Sequence, residues 1–202
     1  MPAKPHPDMP PARRRAILKL GAVAGALAGF PASALLAAPA RRLDVPYEPT
    51  PPNVVRAMLE IGGVGKEDLV YDLGCGDGRI VIAAAKDRGA RGVGIDLDPQ
   101  RIAEAKANAK KAGVEEKVMF RVGDLFQADV SEATVVTLFL YRHINYKLRP
   151  RLWQQLKVGT RVVSHLWDMG PEWPPERVEV VDNRTIYFWT IREAQKRAVG
   201  KG

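Results

Sequence analysis

The sequence predicts an α/β fold: a three-layer sandwich on a mainly parallel seven-strand sheet, closed by a C-terminal antiparallel hairpin. Three observations predict it. Apolar, strand-length runs alternate with helical segments between residues 69 and 165, and such alternation means a parallel sheet covered on both faces. Ala133 to Leu140 is apolar nearly throughout, as a strand buried on both faces should be. Beyond residue 176 the alternation stops, and two adjacent strand-like runs joined by a short turn must pair antiparallel.

Taken in order, Val45-Pro46-Tyr47-Glu48-Pro49-Thr50-Pro51-Pro52 is extended, because each residue before a proline is pushed out of the helical region. Asn53 to Ile61 is a short amphipathic helix that Gly62-Gly63 ends. Leu69 to Leu73 is the first strand, and a glycine-rich turn leads from it into a helix reaching about Arg88. Gly92 to Asp96 is the second strand. Pro99, suited to a first helical turn, opens a long helix that ends near Gly113. Val118 to Val122 and Ala133 to Leu140 are strands three and four. Tyr146 to Lys157 is helical, Thr160 to His165 is strand five, and Arg177 to Val181 and Thr185 to Arg192 flank the turn Asp182-Asn183-Arg184. The arrangement is Rossmann-like. It divides the chain into a leader (1–40), a proline-rich strap with the first helix (41–67), the ligand-binding domain (68–192) and a tail (193–202).

Size and composition bound the function. With 202 residues and 46% hydrophobic content, the chain is long enough for one domain with a substantial core. Half of the formal charge of +8 lies in the first forty residues, so the folded part is only mildly basic. It has no interleaved basic and aromatic pattern of the kind single-strand binders use, and no nucleic-acid partner is expected. Cys75 is the only cysteine, which rules out an intramolecular disulfide and a cysteine-based zinc site. His6, His143 and His165 are scattered without metal-ligand spacing, so no metal is expected.

The leader reads as an address. Arg14-Arg15 precedes an uncharged, Ala- and Gly-rich run from Leu20 to Ala40 that ends in the small-x-small pattern Ala38-Pro39-Ala40. Basic region, apolar region and cleavage pattern stand in the order of a secretory signal. The paired arginines resemble a twin-arginine signal, although Arg13 stands where Ser or Thr is usual. The alternatives are a retained anchor, since the run is close to the ~20 residues that span a bilayer, and a disordered tail, with which the domain would stay in the cytoplasm. Export or anchoring places the domain outside the cytoplasm.

The chemistry concentrates at Asp72-Leu73-Gly74-Cys75-Gly76-Asp77-Gly78-Arg79. A dinucleotide site wants Gly-x-Gly-x-x-Gly, but Arg79 takes the place of the third glycine. No Gly-Lys-Ser/Thr of a P-loop is present. A phosphate ligand gains nothing from Asp72, whereas a ligand with an ammonium group gains a charge-assisted hydrogen bond. S-adenosylmethionine has that ammonium and no phosphate. Asp96, ending the second strand, is placed to accept from both ribose hydroxyls. Asp124, after the third, is placed to accept from the adenine amino group while Leu125 N–H donates to the ring. Taken singly, each aspartate also reads as a turn or cap residue. Taken together, at the carboxyl ends of successive strands, they read as a ligand grip with Gly74, Gly76 and Gly78. Asp98 reads as the cap of the helix at Pro99, Asp77 as a turn residue and Arg79 as a surface or first-turn residue.

With these motifs in this order, the sequence between about Pro49 and Arg192 resembles the class I, seven-strand S-adenosylmethionine-dependent methyltransferases. Val45-Pro46-Tyr47-Glu48-Pro49-Thr50-Pro51, the glycine turn, Ala133 to Leu140, Leu148-Arg149-Pro150 and Thr160 to His165 look like the ATP synthase c-subunit lysine methyltransferase family and its bacterial relatives. That family is similar to the histone lysine methyltransferase lacking a SET domain. The resemblance implies protein lysine N-methylation, with a protein substrate and membrane proximity through residues 17–40. A small-molecule acceptor, or a module that binds the ligand without turnover, remains the alternative.

Methyl transfer to an amine requires alignment and exclusion of water rather than a protonated leaving group. The acceptor is expected beyond strand four. There Tyr141 and Asn145 would orient an amine and His143 would take a proton, against an alternative in which His143 and Tyr146 are loop and packing residues. Tyr47 and Thr50 are expected to form a lid over the methionine part of the cofactor, or otherwise a structural proline strap. His165 to Met169 either borders the acceptor channel or, through Trp167 and Trp173, covers the sheet. Trp153 and Trp189 are expected in the core.

Overall fold

A computed structural model describes residues 48–199. The leader and Tyr47 lie outside them. The elements follow as α1 (Pro52–Ile61), β1 (Leu69–Leu73), α2 (Arg79–Arg88), β2 (Arg91–Asp96), α3 (Pro99–Ala112), β3 (Val118–Val122), β4 (Val135–Leu138), α4 (Arg142–Gln155), β5 (Arg161–His165), β6 (Arg177–Val181), β7 (Arg184–Thr190) and α5 (Glu193–Val199). Among the described residues the strands form one seven-stranded sheet in the order β3-β2-β1-β4-β5-β7-β6. β1 to β5 run parallel to one another, and β7 runs antiparallel to both β5 and β6. The chain winds one way from β1 to β3 and then returns to the other side of β1. The carboxyl end of β1 is therefore a topological switch point, where open α/β sheets bind ligands.

The core lies on both faces of the sheet. On one side α1 and α2 pack Val54, Met58, Leu59, Ile80 and Ala84 against Val70, Val135 and Val163. On the other, Leu148, Leu152 and Leu156 cover Leu73, Leu138 and Trp189. Trp173 and Trp189 are both buried, and Trp189 Nε1 donates to Trp173 O (2.8 Å). That bond satisfies the one polar atom of the fully buried Trp189 ring.

Differences from the sequence reading have local causes. β4 is shorter than the apolar run Ala133–Leu140, because Phe139 and Leu140 pass the end of the ladder and turn into a cleft. α4 starts at Arg142, four residues before the expected Tyr146. Its N-cap, Tyr141, makes no side-chain capping bond, and no acidic residue marks the first turn. The usual start signals are missing. The 182–183 turn carries Asp182 at φ 48° and Asn183 at φ 59°, both in the left-handed region that a two-residue hairpin loop requires. Residues 193–199, read as tail, form α5. Lys196 Nζ donates to Trp153 O, Gln154 O and Leu156 O (2.8, 2.8 and 2.7 Å), so a cation caps the carbonyl end of α4.

At the amino edge of the sheet Asp68 ties several segments together. Its carboxylate accepts from Gly65 N (2.8 Å), Thr134 Oγ1 (2.7 Å) and Arg161 Nη2. Arg161 Nη1 also donates to Gly62 O and Gly63 O (2.8 Å each). Burial alone would raise the Asp68 pKa, but these donors together hold it below the usual carboxylate value. Its stabilisation is present above that value and is lost as pH falls through the lowered one. Asp68→Ala should cost about 2–4 kcal/mol in urea unfolding at pH 7. Ligand binding at the opposite edge, ~16 Å away along β1, should survive.

Candidate active site

The carboxyl ends of β1, β2 and β4, the loop after β3 and the strap at Glu48–Thr50 line one cleft. Its empty volume is about 1000 Å³, open mouth included. The turn after β1 shapes the floor. Gly74 sits at φ 82°, where an added Cβ would meet Leu140 Cδ2 at 2.8 Å. Gly74 N and Cys75 N both donate to Ile95 O (2.8 and 3.0 Å), which fixes the turn to the end of β2. Only glycine fits both the backbone angle and the space there.

Asp72, Gly74, Gly76, Asp96, Asp124, Leu125 and Thr50 all line the cleft, as their sequence positions suggested. Gly78 does not. It starts α2 at φ 80°, where a Cβ would lie 2.7 Å from the Phe120 ring and 2.9 Å from Ala105 Cβ. Its absent side chain lets α2 pack on α3 and β3, which is a structural duty.

Each aspartate is oriented by the backbone or by a neighbouring hydroxyl. Asp96 Oδ2 accepts from Gly76 N (2.8 Å) and Oδ1 from Asp98 N (2.9 Å). Both oxygens keep a lone pair for an incoming hydroxyl. Asp124 Oδ1 accepts from Phe126 N (2.8 Å). Asp98 caps α3 by accepting from Gln100 N (2.8 Å), as expected, and also lines the cleft. Asp72 is almost fully buried, and Thr137 Oγ1 donates to its Oδ1 (2.8 Å). Burial, opposed in part by that hydrogen bond and reinforced by the charges of Asp96 and Asp77, pushes the Asp72 pKa up to about 7. The same burial, with the neighbouring carboxylates, raises the Cys75 thiol and keeps it neutral.

Six carboxylates line the cleft (Glu48, Asp72, Asp77, Asp96, Asp98 and Asp124) against two guanidiniums, Arg79 and Arg101. The excess of negative charge repels a pyrophosphate and suits a cation. Ile80, Ile95, Leu97, Leu125, Phe139, Leu140 and Ile144 supply apolar walls. S-adenosylmethionine, with an ammonium, a sulfonium and an apolar base, fits this mixture. Among the described residues no group of three His, Cys, Asp or Glu side chains is arranged to hold a metal.

Of the wall residues that local sequence pattern did not mark as ligand contacts, Arg79, Asp77 and Phe139 matter most. Arg79 is an organiser: its Nε and Nη2 donate to Asp77 (2.9 and 2.6 Å), and its Nη1 donates to Thr50 O (2.9 Å). Asp77 is correspondingly more than a turn residue. Phe139 contributes a ring at the end of β4. Its signal was present, an aromatic at the end of an apolar run, but the run was assigned whole to the strand.

The expected acceptor residues separate. Tyr141, His143 and Asn145 are absent from the cleft wall. Asn145 is fully buried, and its Nδ2 donates to Ser164 Oγ (3.1 Å) and Trp167 O (3.0 Å). This commits its amide nitrogen to tying α4 to the turn after β5, because the helix begins earlier than expected and carries Asn145 inward. Tyr141 and His143 stay exposed. Their rings lie 6.1 Å apart, and Tyr141 meets Trp167 edge-on at 6.3 Å. Arg142 sits over Trp167 at 5.4 Å. Tyr146 Oη reaches Asp168 (3.2 Å), so it packs against the same turn.

The Asp72 shift gives a pH test in the ligand-free protein. Its folded pKa is raised, so between pH 3.8 and about 7 the native state holds a proton that the unfolded chain has lost. Stability therefore falls as pH rises through that window. Asp72→Asn should remove this slope. Ligand-free, it should be more stable than the parent by roughly 2–4 kcal/mol at pH 8 and nearly equal at pH 4, measured by urea unfolding.

The comparisons agree with this geometry. A family model described as the ANTKMT methyltransferase domain matches residues 72–177. A protein-lysine N-methyltransferase of Saccharolobus islandicus is 50% identical over 153 residues, covering 74% of this chain and 95% of that protein. An ATP synthase c-subunit lysine N-methyltransferase of Xenopus laevis is 31% identical over 182 residues, covering 88% and 79%. Among solved structures, a protein of Salinibacter ruber described as an RNA methyltransferase, in complex with S-adenosyl-L-homocysteine, is 57% identical with a TM-score of 0.71. That likeness covers 72% of this chain and 95% of the other. Over a cleft built for a cationic nucleoside ligand, these likenesses settle the family: the chain belongs to the ANTKMT methyltransferase domain family and is an S-adenosylmethionine-dependent methyltransferase.

Proposed function

We propose that the protein methylates lysine side chains of a protein substrate. The observation that carries this reading is the 50% identity with the protein-lysine N-methyltransferase over nearly all of that protein. When bound, S-adenosylmethionine supplies an electrophilic methyl group on a sulfonium. Asp72, having lost its proton, accepts from the ammonium. Asp96 takes the ribose hydroxyls on the lone pairs that Gly76 and Asp98 leave free, and Asp124 and Leu125 take the base. Gly74 and Gly76 let the backbone approach closely. Thr50 covers the methionine end, as Tyr47 is expected to. Phe139, Leu140 and Ile144 keep water from the acceptor side, and a dry wall favours the neutral, nucleophilic amine.

An aromatic rim of exposed Tyr141 and His143, which follow Phe139 and Leu140, and half-buried Trp167 stands beside the cleft end of β4. It suits a cationic side chain arriving from a protein surface, since aromatic faces attract ammonium groups. His143 takes the amine proton to solvent. The segment before the described residues carries the Arg14-Arg15 leader, and we read it as placing the domain outside the cytoplasm, near a membrane.

A second reading has one specific support: the Salinibacter protein is described as an RNA methyltransferase. Incubating the purified full chain with methyl-labelled cofactor and cell extract separates the two. Label lost on protease treatment, and located on lysine by mass spectrometry, supports the proposal. Label lost on ribonuclease treatment, or recovered in small molecules, refutes it. Asp96→Ala should weaken S-adenosylhomocysteine binding about 10- to 100-fold in calorimetry, the scale of one lost charge-assisted hydrogen-bond pair. For the leader, fractionation should find the domain outside the cytoplasm, and Arg14→Lys/Arg15→Lys should retain it inside. An unchanged location would refute the twin-arginine reading.

A further inference from the structure

His165 ends β5 and is fully buried, yet it takes no part in the cleft wall. Its strand neighbours Val162 and Val163 are buried hydrophobes, and a hydrophobe at 165 would avoid burying a polar ring. The imidazole instead reaches toward the strap. Its Nδ1 lies 3.4 Å from Thr50 Oγ1, and its ring centroid lies 4.0 Å from that of Phe139. Thr50 and Phe139 both line the cofactor cleft, whereas His165 stands behind them. Its Nε2 is buried with no hydrogen-bond partner. A native fold rarely tolerates such a group without a use for the ring.

Two arginines also hold the described part of the strap. Arg79 Nη1 donates to Thr50 O (2.9 Å), and both terminal nitrogens of Arg184 donate to Glu48 Oε1 (3.2 Å each). These fix the backbone and the leading residue of the strap. Among the described residues His165 is the side chain that addresses the Thr50 hydroxyl. Burial, with the Arg184 charge as a smaller cause, pushes the His165 pKa down to about 4, so the ring stays neutral. A neutral ring can meet a hydroxyl as donor or as acceptor. At 3.4 Å the pair stands just outside the roughly 2.7–3.2 Å of a formed hydrogen bond, and such contacts tighten when a site is loaded.

We propose that His165 is a positioning residue for methyl transfer. It sets the Thr50 hydroxyl, and with it the strap, against the methionine end of the cofactor. This rests on the reading of Thr50 as a cofactor contact.

The test uses the purified full chain with Thr50→Val, His165→Leu, the double variant, His165→Asn and His165→Gln. Asparagine puts an amide where Nδ1 stands, and glutamine puts one near Nε2. S-adenosylhomocysteine affinity by calorimetry, KM for the cofactor, kcat and thermal midpoint are measured for each. Thr50→Val and His165→Leu should each weaken binding about tenfold, the scale of one net hydrogen bond. The double variant should be no worse than either single one, because both act through one contact. His165→Asn should restore affinity to within about threefold of the parent and His165→Gln should not, the contrast expected if Nδ1 is the working atom. Additive losses, rescue by glutamine alone, or a lowered thermal midpoint with unchanged affinity would each overturn the proposal. If the parent fails to bind S-adenosylhomocysteine, the cofactor reading falls and this proposal with it. Binding by the parent with additive variants removes this proposal alone.

Discussion

The constraint on which the rest depends is the burial of Asp72 among like charges. A carboxylate 2% exposed, with Asp96 and Asp77 close enough to raise its pKa and only a threonine hydroxyl on it, is an unfavourable arrangement for an empty protein. A guanidinium beside it would relieve the repulsion. Instead Arg79, which lines the same cleft, donates to Asp77 and the Thr50 carbonyl. The site therefore keeps a deficit of positive charge that its ligand can fill. A cation entering this cleft gains more than it would on the surface, because the same burial that raises the Asp72 pKa weakens screening between them.

The other features position that carboxylate. Register puts Asp72 beside Gly94 of β2 and Thr137 of β4; the threonine hydroxyl gives the hydrogen bond, and the glycine leaves room for Cys75 and Phe120. Gly74 and Cys75 bind the turn to Ile95 O, and Gly76 N binds Asp96. The first glycine turn and the second acidic residue are thereby one rigid unit rather than two neighbouring motifs. Arg79 extends the unit to the strap across 29 residues of sequence. The cleft is preorganised by backbone contacts, which limits the ordering cost on binding.

Most of the cofactor side was legible in the sequence because its chemistry is written in consecutive residues. Gly74-x-Gly76 after a strand, then Asp96 and Asp124 at the ends of the next two, need only the alternation of strands and helices to be brought together. Arg79 was misread because its role depends on Thr50, which no local pattern connects to it. Asn145 was misread because α4 begins without a capping residue. A start four residues earlier turns the side chain from an expected acceptor contact to a buried tie onto Ser164 and Trp167. The turn it holds is strained at Leu166, at φ 67°, and a residue-by-residue reading has no access to strain. The acceptor side was illegible for the same reason throughout: it is assembled from loop ends of β4 and β5, whose separation in sequence hides their contact in space.

Asp72 and His165 also bear opposite pH burdens. His165 has a lowered folded pKa, so its contribution is complete above the unfolded value of 6.5 and is lost as pH falls toward about 4. Asp72 has a raised one, so stability improves as pH falls from about 7 toward 3.8. The windows overlap almost entirely and their slopes oppose. The ligand-free protein should thus take up little net proton from these two groups on unfolding. A cation that pairs with Asp72 lowers only that pKa, so the slope of His165 is left uncompensated and the loaded protein becomes the more acid-sensitive form. A buried imidazole behind the strap and a buried carboxylate beneath it are in this sense one electrostatic design. The cost of Asp72 arises at neutral pH and is recovered when the cleft is filled, whereas that of His165 arises below pH 6.5 and is not.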